Sequence, residues 1–268
     1  MLIIGPDNIG RDSSYFQSTD TDGFYTVKPQ KYFGISQEVA GVHATLKGAG
    51  LKDMLDKEGK TWMILRTQMT ISKYASWCDE YDIETWCQEG YRLYCPRYVE
   101  ARDKKTGEVL FNSKNLWVIM DMVKNRPERP SYIDGRLAYV DPNVRHFDPA
   151  LPKFPQEEEY TVSCIEPYSV KVNYYDTDYN RHVNNISYIN WLMESFPHEY
   201  LDQYLPEFFD VEWKKQCHWG DDIKVETKKK EGSEEYYTKI FHKITLIFLY
   251  KLMKFNYNAN YHTIHSKI

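Results

Sequence analysis

The chain carries two diverged copies of one sequence pattern, and this repeat limits its possible folds more than any other feature. Asp20-Thr21-Asp22 matches Asp176-Thr177-Asp178 at an offset of 156 residues. At the same offset and without a gap, Val27 falls on Val183, Tyr32 on Tyr188 and Glu38 on Glu194. A second block, residues 77–85, resembles residues 219–227 at an offset of 142. Two matches in the same order favour a tandem duplication, so we predict two similar domains.

Hydrophobic periodicity predicts one long helix followed by antiparallel strands in each half, an α+β pattern. A chain of 268 residues is long enough for two ordinary domains of this kind. Helices are predicted over residues 29–47 and 184–196. Strands are predicted over residues 62–72, 81–86, 91–103, 109–121, 168–175, 209–218, 223–230 and 235–246.

Prolines concentrate between the two halves and predict a linker over residues 131–160. The predicted domains are therefore residues 1–130, a non-catalytic copy, and residues 161–268, a catalytic copy. After residue 246 the composition changes to a Tyr-, Asn- and His-rich end without acidic residues. This tail is a divergent strand, a disordered tail or the product of a frame change, and the sequence leaves the three open.

Composition excludes several functional classes. A net charge of −5 argues against a general nucleic-acid binder. The five cysteines contain no CxxC pair and the eight histidines no HExxH spacing, so we expect no disulfide framework, metal or cofactor. Basic clusters are either solvated surface or a docking patch for an acidic partner: Lys214-Lys215, Lys228-Lys229-Lys230, and Arg126 with Arg129.

The sequence predicts a protein of the reducing cytoplasm without a membrane span. The N-terminal residues have no basic stretch before their short apolar run, which is unlike a signal peptide. The longest apolar run, residues 244–253, contains Lys251 and is too short to cross a bilayer.

The reactive side chains occur in the second copy alone. Asn180 falls on Phe24 and His182 on Thr26, while Gln216 falls on Tyr74 and Cys217 on Ala75. If residues 178–182 are extended, Asp178, Asn180 and His182 point to one side. A helix that begins at Asn184-Asn185 would place an Asn cap and free backbone N–H groups beside them, and such groups suit an oxyanion.

Each candidate also has a purely structural interpretation. Asp178 could brace a turn, because Asp22 persists in the half that lacks the other groups. Cys217 could be a nucleophile activated by His182 or a small buried core residue. Gln216 could hold a water but cannot accept its proton, and in a regular strand it faces the side opposite Cys217.

These residues resemble the acyl–acyl carrier protein thioesterases of plants and bacteria. The resemblance rests on DxNxHVNNxxY at residues 178–188, on Trp191 and Glu194, on Lys215-Gln216-Cys217, and on residues 62–66, 84–86 and 117–121. It implies two tandem hot-dog domains, each a long helix wrapped by a curved antiparallel sheet. It also implies hydrolysis of fatty acyl thioesters on the phosphopantetheine arm of acyl carrier protein.

By this resemblance Asp178, Asn180, His182, Gln216 and Cys217 take the catalytic positions. Gln216 departs from the family, which commonly has Glu at this position, so a mechanism in which that carboxylate activates water is in doubt. Alternatives are an acyl-CoA thioesterase, a hot-dog dehydratase or a non-catalytic acyl-binding protein. The chain length of the substrate and the choice between monomer and homodimer stay open.

Overall fold

A computed structural model describes residues 1–145, 147–163, 165–242 and 245–257, the last range by its backbone alone. The chain forms two compact units, Met1–Pro152 and Lys153–Ile268. The boundary between the units falls inside the range predicted as a linker. Among the described residues, every helix is too short or too polar to cross a bilayer.

The first unit has one long helix and an antiparallel sheet. Helix α1 (Pro29–Leu46) begins at a proline, whose fixed φ suits the first helical position. Helix α2 (Leu51–Glu58), which the sequence analysis missed, ends at Gly59 with φ +62°. The strands of this unit are β1 (Ile3–Ile4), β2 (Gly10–Tyr15), β3 (Lys60–Ile71), β4 (Glu80–Cys87), β5 (Cys95–Asp103), β6 (Val109–Asp121) and β7 (Arg126–Glu128).

The sheet of the first unit runs in the order β1-β2-β4-β5-β6-β3, with β7 added beside β6. The predicted helix and the strands predicted over 62–72, 81–86 and 109–121 are confirmed within two residues. Helix α1 packs on β4 and β5 and buries Tyr32, Phe33 and Val39. The core of the unit therefore lies between the long helix and the sheet.

Part of the proline-rich segment folds onto the first unit. Ile133 and Leu137 are buried against Cys87 and Cys95, while Val140 packs in a cluster that contains Trp86. Apolar side chains among the prolines thus pack like core residues, which a reading of the proline spacing alone did not reveal.

The second unit repeats the plan. It contains helix α3 (Asn185–Glu194), the short helix α4 (His198–Leu201), and strands β8 (Val162–Ser163), β9 (Tyr168–Lys171), β10 (Tyr204–Trp213), β11 (Asp222–Lys229), β12 (Glu235–His242) and β13 (Thr245–Tyr257). Its main strands run in the order β10-β13-β12-β11, and β8 and β9 both pair with β11. The start of the tail thus forms a strand, whereas residues 258–268 lie outside the described part.

The two units share hydrogen bonds at equivalent positions, which supports the duplication. Val27 N donates to Ala75 O at 2.9 Å, and Val183 N donates to Cys217 O at 2.8 Å. In the other direction, Ala75 N donates to the Tyr32 hydroxyl at 2.9 Å and Cys217 N to the Tyr188 hydroxyl at 3.2 Å. The repeated Val and Tyr therefore join each helix to the chain segment that precedes β4 or β11.

Candidate active site

Residues 178–182 form a tight loop, so the condition considered from the sequence, an extended segment, is not met. Thr177 pairs with Val183 across the base of the loop. Asp178 N donates to His182 O at 2.8 Å, and Arg181 N donates to Asp178 O at 2.9 Å. Arg181 has φ +60°, a left-handed conformation that turns the chain back on itself. The side chains of Asp178, Asn180 and His182 are therefore placed by a turn, and strand alternation does not apply to them.

The Asp178 carboxylate stabilises this loop. Its Oδ1 accepts a hydrogen bond from Asn180 N at 2.8 Å. Asp22 does the same in the first unit, where Oδ1 accepts from Phe24 N at 2.9 Å and from Thr26 N at 3.0 Å. Because the unit without His182 keeps this contact, it belongs to the shape of the loop.

Helix α3 begins where the sequence predicts, but three of the backbone donors at its start are already used. Asn184 is the N-cap, and its side-chain oxygen accepts from Ile186 N at 2.9 Å. Asn184 N donates to Asp176 O at 2.8 Å, and Ser187 N donates to Asn184 O at 2.9 Å. Of the backbone donors expected around Asn184, the N–H of Asn184 itself is therefore not free for an oxyanion. The side-chain amide of the partly buried Asn180 is the predicted donor that lies in the loop itself.

Gln216 and Cys217 lie after the end of β10 at Trp213, in an irregular segment and not in the predicted strand. The side chain of Gln216 is exposed, whereas Cys217 is 1% exposed. Burial raises the pKa of the Cys217 thiol to about 11. At neutral pH the group is a thiol, which favours a structural role over a nucleophilic one.

His182 is partly buried and packs against a second imidazole. Its ring meets that of His218 edge to face, with centroids 5.1 Å apart and planes at 79°. Burial lowers the pKa of His182, the charge on His218 lowers it further, and Asp178 opposes both. The imidazole of His182 is therefore neutral at pH 7 and able to accept a proton.

His218 is the residue that sequence reasoning missed. It falls on Ser76 at the offset of 142, just as His182 falls on Thr26 at the offset of 156. Thr26 and Ser76 are paired by a β-bridge in the first unit. Combining the two alignments with that pairing would have placed the two histidines side by side.

The described residues contain no cluster of three or more His, Cys, Asp or Glu side chains arranged to hold a metal ion. The lysine cluster at 228–230 is paired with acidic residues of the same unit: Lys228 with Glu157 at 2.8 Å, Lys229 with Glu234 at 2.5 Å and Lys230 with Glu159 at 3.2 Å. Such internal pairing favours the interpretation of this cluster as ordinary surface.

Solved structures define the class of fold. An acyl-ACP thioesterase from Bacteroides thetaiotaomicron superposes with a TM-score of 0.77 at 20% identity, over 92% of this chain and 98% of that one. A 12:0-ACP thioesterase from Umbellularia californica gives 0.80 at 21% identity, over 93% and 98%. The chain therefore has the tandem hot-dog architecture of these proteins, each unit a helix with an antiparallel sheet.

Sequence comparison gives the family. The models of the acyl-ACP thioesterase N-terminal and C-terminal domains match residues 14–131 and 157–249. Oleoyl-acyl carrier protein thioesterase 1, chloroplastic, of Arabidopsis thaliana is 30% identical over 171 residues, which are 60% of this chain and 46% of that protein. Dodecanoyl-[acyl-carrier-protein] hydrolase, chloroplastic, of Umbellularia californica is 26% identical over 243 residues, 85% of this chain and 63% of that protein.

This chain belongs to the acyl-ACP thioesterase family. It spans about half the length of the first curated relatives it matches, 46% and 50%.

Proposed function

We propose that this protein hydrolyses fatty acyl thioesters on acyl carrier protein and releases the free fatty acid. The observation that carries the proposal is the neutral, partly buried imidazole of His182, on a loop whose counterpart in the first unit has Thr26. Membership of the family supports the choice of a fatty acyl thioester as substrate.

In the proposed reaction His182 acts as the general base. It takes a proton from water as the water oxygen bonds to the thioester carbonyl carbon, a role that contributes about 10²–10⁴-fold. The Asn180 amide donates a hydrogen bond to the developing oxyanion. The C–S bond then breaks, and the thiolate leaves without much acid help because thiol pKa values are about 8–9.

The remaining candidates have supporting roles in this proposal. Asp178 holds the loop that carries His182 and Asn180. Gln216 is exposed, and its amide can orient a water but cannot take a proton from it. Cys217, as a buried thiol, forms no acyl-enzyme.

The test is thiol release from a set of acyl–carrier proteins of different chain length, with identification of the fatty acids formed. His182→Ala is expected to lower kcat by about 10²–10⁴-fold. Thr26→Ala changes the equivalent position of the first unit and serves as the control, with turnover expected near that of the unmodified protein. Near-normal turnover by His182→Ala would reject the proposed base, and faster turnover of acyl-CoA would reject the proposed carrier.

We also propose that the protein works in a reducing cytoplasm, as a monomer or homodimer. Cys78, Cys87, Cys95 and Cys217 are free thiols, which suits a reducing compartment. Cell fractionation and light scattering test the location and the oligomeric state.

A further inference from the structure

Exposed aromatic side chains are concentrated around the candidate active site. Among the described residues of the second unit, five large apolar side chains are exposed: Tyr174 at 71%, Tyr175 at 95%, Tyr179 at 72%, Trp219 at 71%, and Val162 at 38%. The four aromatic residues form what we call the aromatic patch. Contiguous exposed apolar groups of this kind commonly mark an interaction site.

Backbone hydrogen bonds bring the members of the patch together. Val172 N donates to Asp221 O at 2.9 Å and Gly220 N donates to Val172 O at 3.0 Å, so the turn with Tyr174 and Tyr175 adjoins the segment with Trp219. The ring centroids of Tyr174 and Tyr175 are 5.5 Å apart. Tyr179 lies in the 178–182 loop. The patch therefore sits on the same two segments that bring His182 and His218 into contact.

The fold does not require these side chains. At the offset of 156, the three tyrosines fall on Ser18, Thr19 and Gly23 of the first unit, whose loop has the same hydrogen bonds. Trp77 does correspond to Trp219, but it stacks on Tyr25, with ring centroids 6.2 Å apart. A side chain that is 95% exposed, such as Tyr175, also buries almost no apolar area in the folded chain.

The charges around the patch favour an acidic partner. Asp176 and Asp221 are partly buried and accept hydrogen bonds from Asn173 N at 2.7 Å and from His218 N at 2.9 Å, while Asp222 is exposed. Arg181 and Lys215 are also exposed, so exposed basic side chains outnumber exposed acidic ones on residues 171–182 and 214–222. The surface thus presents aromatic rings together with positive charge, a combination that suits recognition of a negatively charged protein.

We propose that the aromatic patch is the surface on which the body of the acyl carrier protein docks while its arm enters the site. This inference rests on the proposed function. The rings extend into solvent, so they are placed to contact the surface of a second protein and not an acyl chain inside the hot-dog unit. Aromatic side chains are also the residues that dominate binding energy at protein interfaces.

The experiment compares the double variant Tyr175→Ser/Trp219→Ser with the unmodified protein on two substrates that carry the same acyl group. On acyl–carrier protein we expect KM to rise about tenfold while kcat stays within about twofold. On the acyl thioester of free pantetheine, which has the arm but no protein body, we expect no change. Tyr15→Ser, at a 55% exposed tyrosine of the first unit, is the matched control and should behave like the unmodified protein.

Equal losses on both substrates would overturn the proposal, because the patch would then act on the arm or on the site itself. An unchanged KM on acyl–carrier protein would also overturn it. Binding to phosphatidylcholine–phosphatidylglycerol vesicles is measured in parallel, and a double variant that loses this binding while its KM is unchanged would show a lipid-binding patch instead. Calorimetry then measures the binding of holo–carrier protein to His182→Ala, with and without the two patch substitutions. This measurement separates the inference from the hydrolase proposal. Binding that weakens with the double variant supports the patch whether or not hydrolysis occurs.

Discussion

At the scale of single residues, the duplication separates side chains that shape the loop from those that can do chemistry. Asp22 and Asp178 accept the same kind of backbone hydrogen bond in both units. His182, by contrast, stands where the first unit has Thr26. The comparison therefore works as an internal control, and it assigns structural roles to positions that the second unit alone would leave ambiguous.

Cys217→Ala is expected to keep kcat within about threefold, which is under 1 kcal/mol of transition-state stabilisation. The reason is that Ala75 fills the equivalent buried position and makes the same backbone contacts. Steady-state assays of hydrolysis, and mass spectrometry of the protein during turnover, check this expectation. A hundredfold loss, or an acyl group trapped on Cys217 in the unmodified protein, would restore the nucleophilic role.

His218→Ala is expected to raise the pKa of His182. Burial and the charge on His218 both lower that pKa, whereas Asp178 raises it. Removal of His218 takes away one of the two influences that lower the pKa of His182. More of the base is then protonated at a given pH, and the acidic limb of kcat/KM moves to higher pH. NMR titration of the imidazole measures the shift directly, with His198→Ala as the control. A titration of His182 that does not move would contradict the expectation.

At the scale of elements, each long helix is joined to the segment before β4 or β11 through one tyrosine hydroxyl. Tyr32 and Tyr188 are 0% and 2% exposed, and each accepts from a buried backbone N–H. The repeated tyrosine of the sequence thus fixes the position of the helix against the loop that carries the candidate site. This contact explains why the tyrosine persists in both copies while the reactive residues do not.

Tyr32→Phe and Tyr188→Phe should each lower the free energy of unfolding by about 1–3 kcal/mol, because each leaves a buried N–H without its acceptor. Denaturant unfolding measures both effects. We further expect Tyr188→Phe, and not Tyr32→Phe, to reduce hydrolysis, because Cys217 makes this contact and His218, which packs on His182, is the next residue. Equal activity of the two variants would count against a site in the second unit.

At the scale of the whole molecule, the first unit contains a buried neutral histidine that makes stability depend on pH. His43 is 0% exposed; its Nδ1 accepts from Arg97 at 3.2 Å and its Nε2 donates to Asn8 O at 3.2 Å. Burial, and then the charge on Arg97, lower the pKa of His43 to about 3. The folded chain therefore excludes a proton that the unfolded chain binds below about pH 6.5.

Stability is consequently expected to fall as pH drops from about 6.5 towards 3, by up to about 1.4 kcal/mol per pH unit from this residue. Above pH 6.5 the contribution is fully present, because both states then hold His43 neutral. Thermal unfolding of His43→Gln should show a shallower acid dependence than the unmodified protein, whatever its stability at pH 7. His198→Gln, at an exposed histidine, is the control and should keep the steeper dependence.

The repeat, the periodicity of the helices and the alternation of the strands lie in local sequence, so they predicted two α+β units and the N-cap of α3 at Asn184. The motif around His182 likewise indicated the family. The proline-rich segment was harder to interpret, because packing of Ile133 and Leu137 on the first unit depends on contacts far along the chain.

What the sequence by itself determined is therefore the duplication, the fold class and the set of polar residues confined to one copy. Tertiary structure alone decided how those residues are arranged: a turn and not a strand at 178–182, a buried thiol at Cys217, and His218 against His182. The physical reason is that hydrophobic periodicity indicates on which side of a helix or strand a residue lies. Burial, pKa and ring contact depend instead on what a distant segment places beside it.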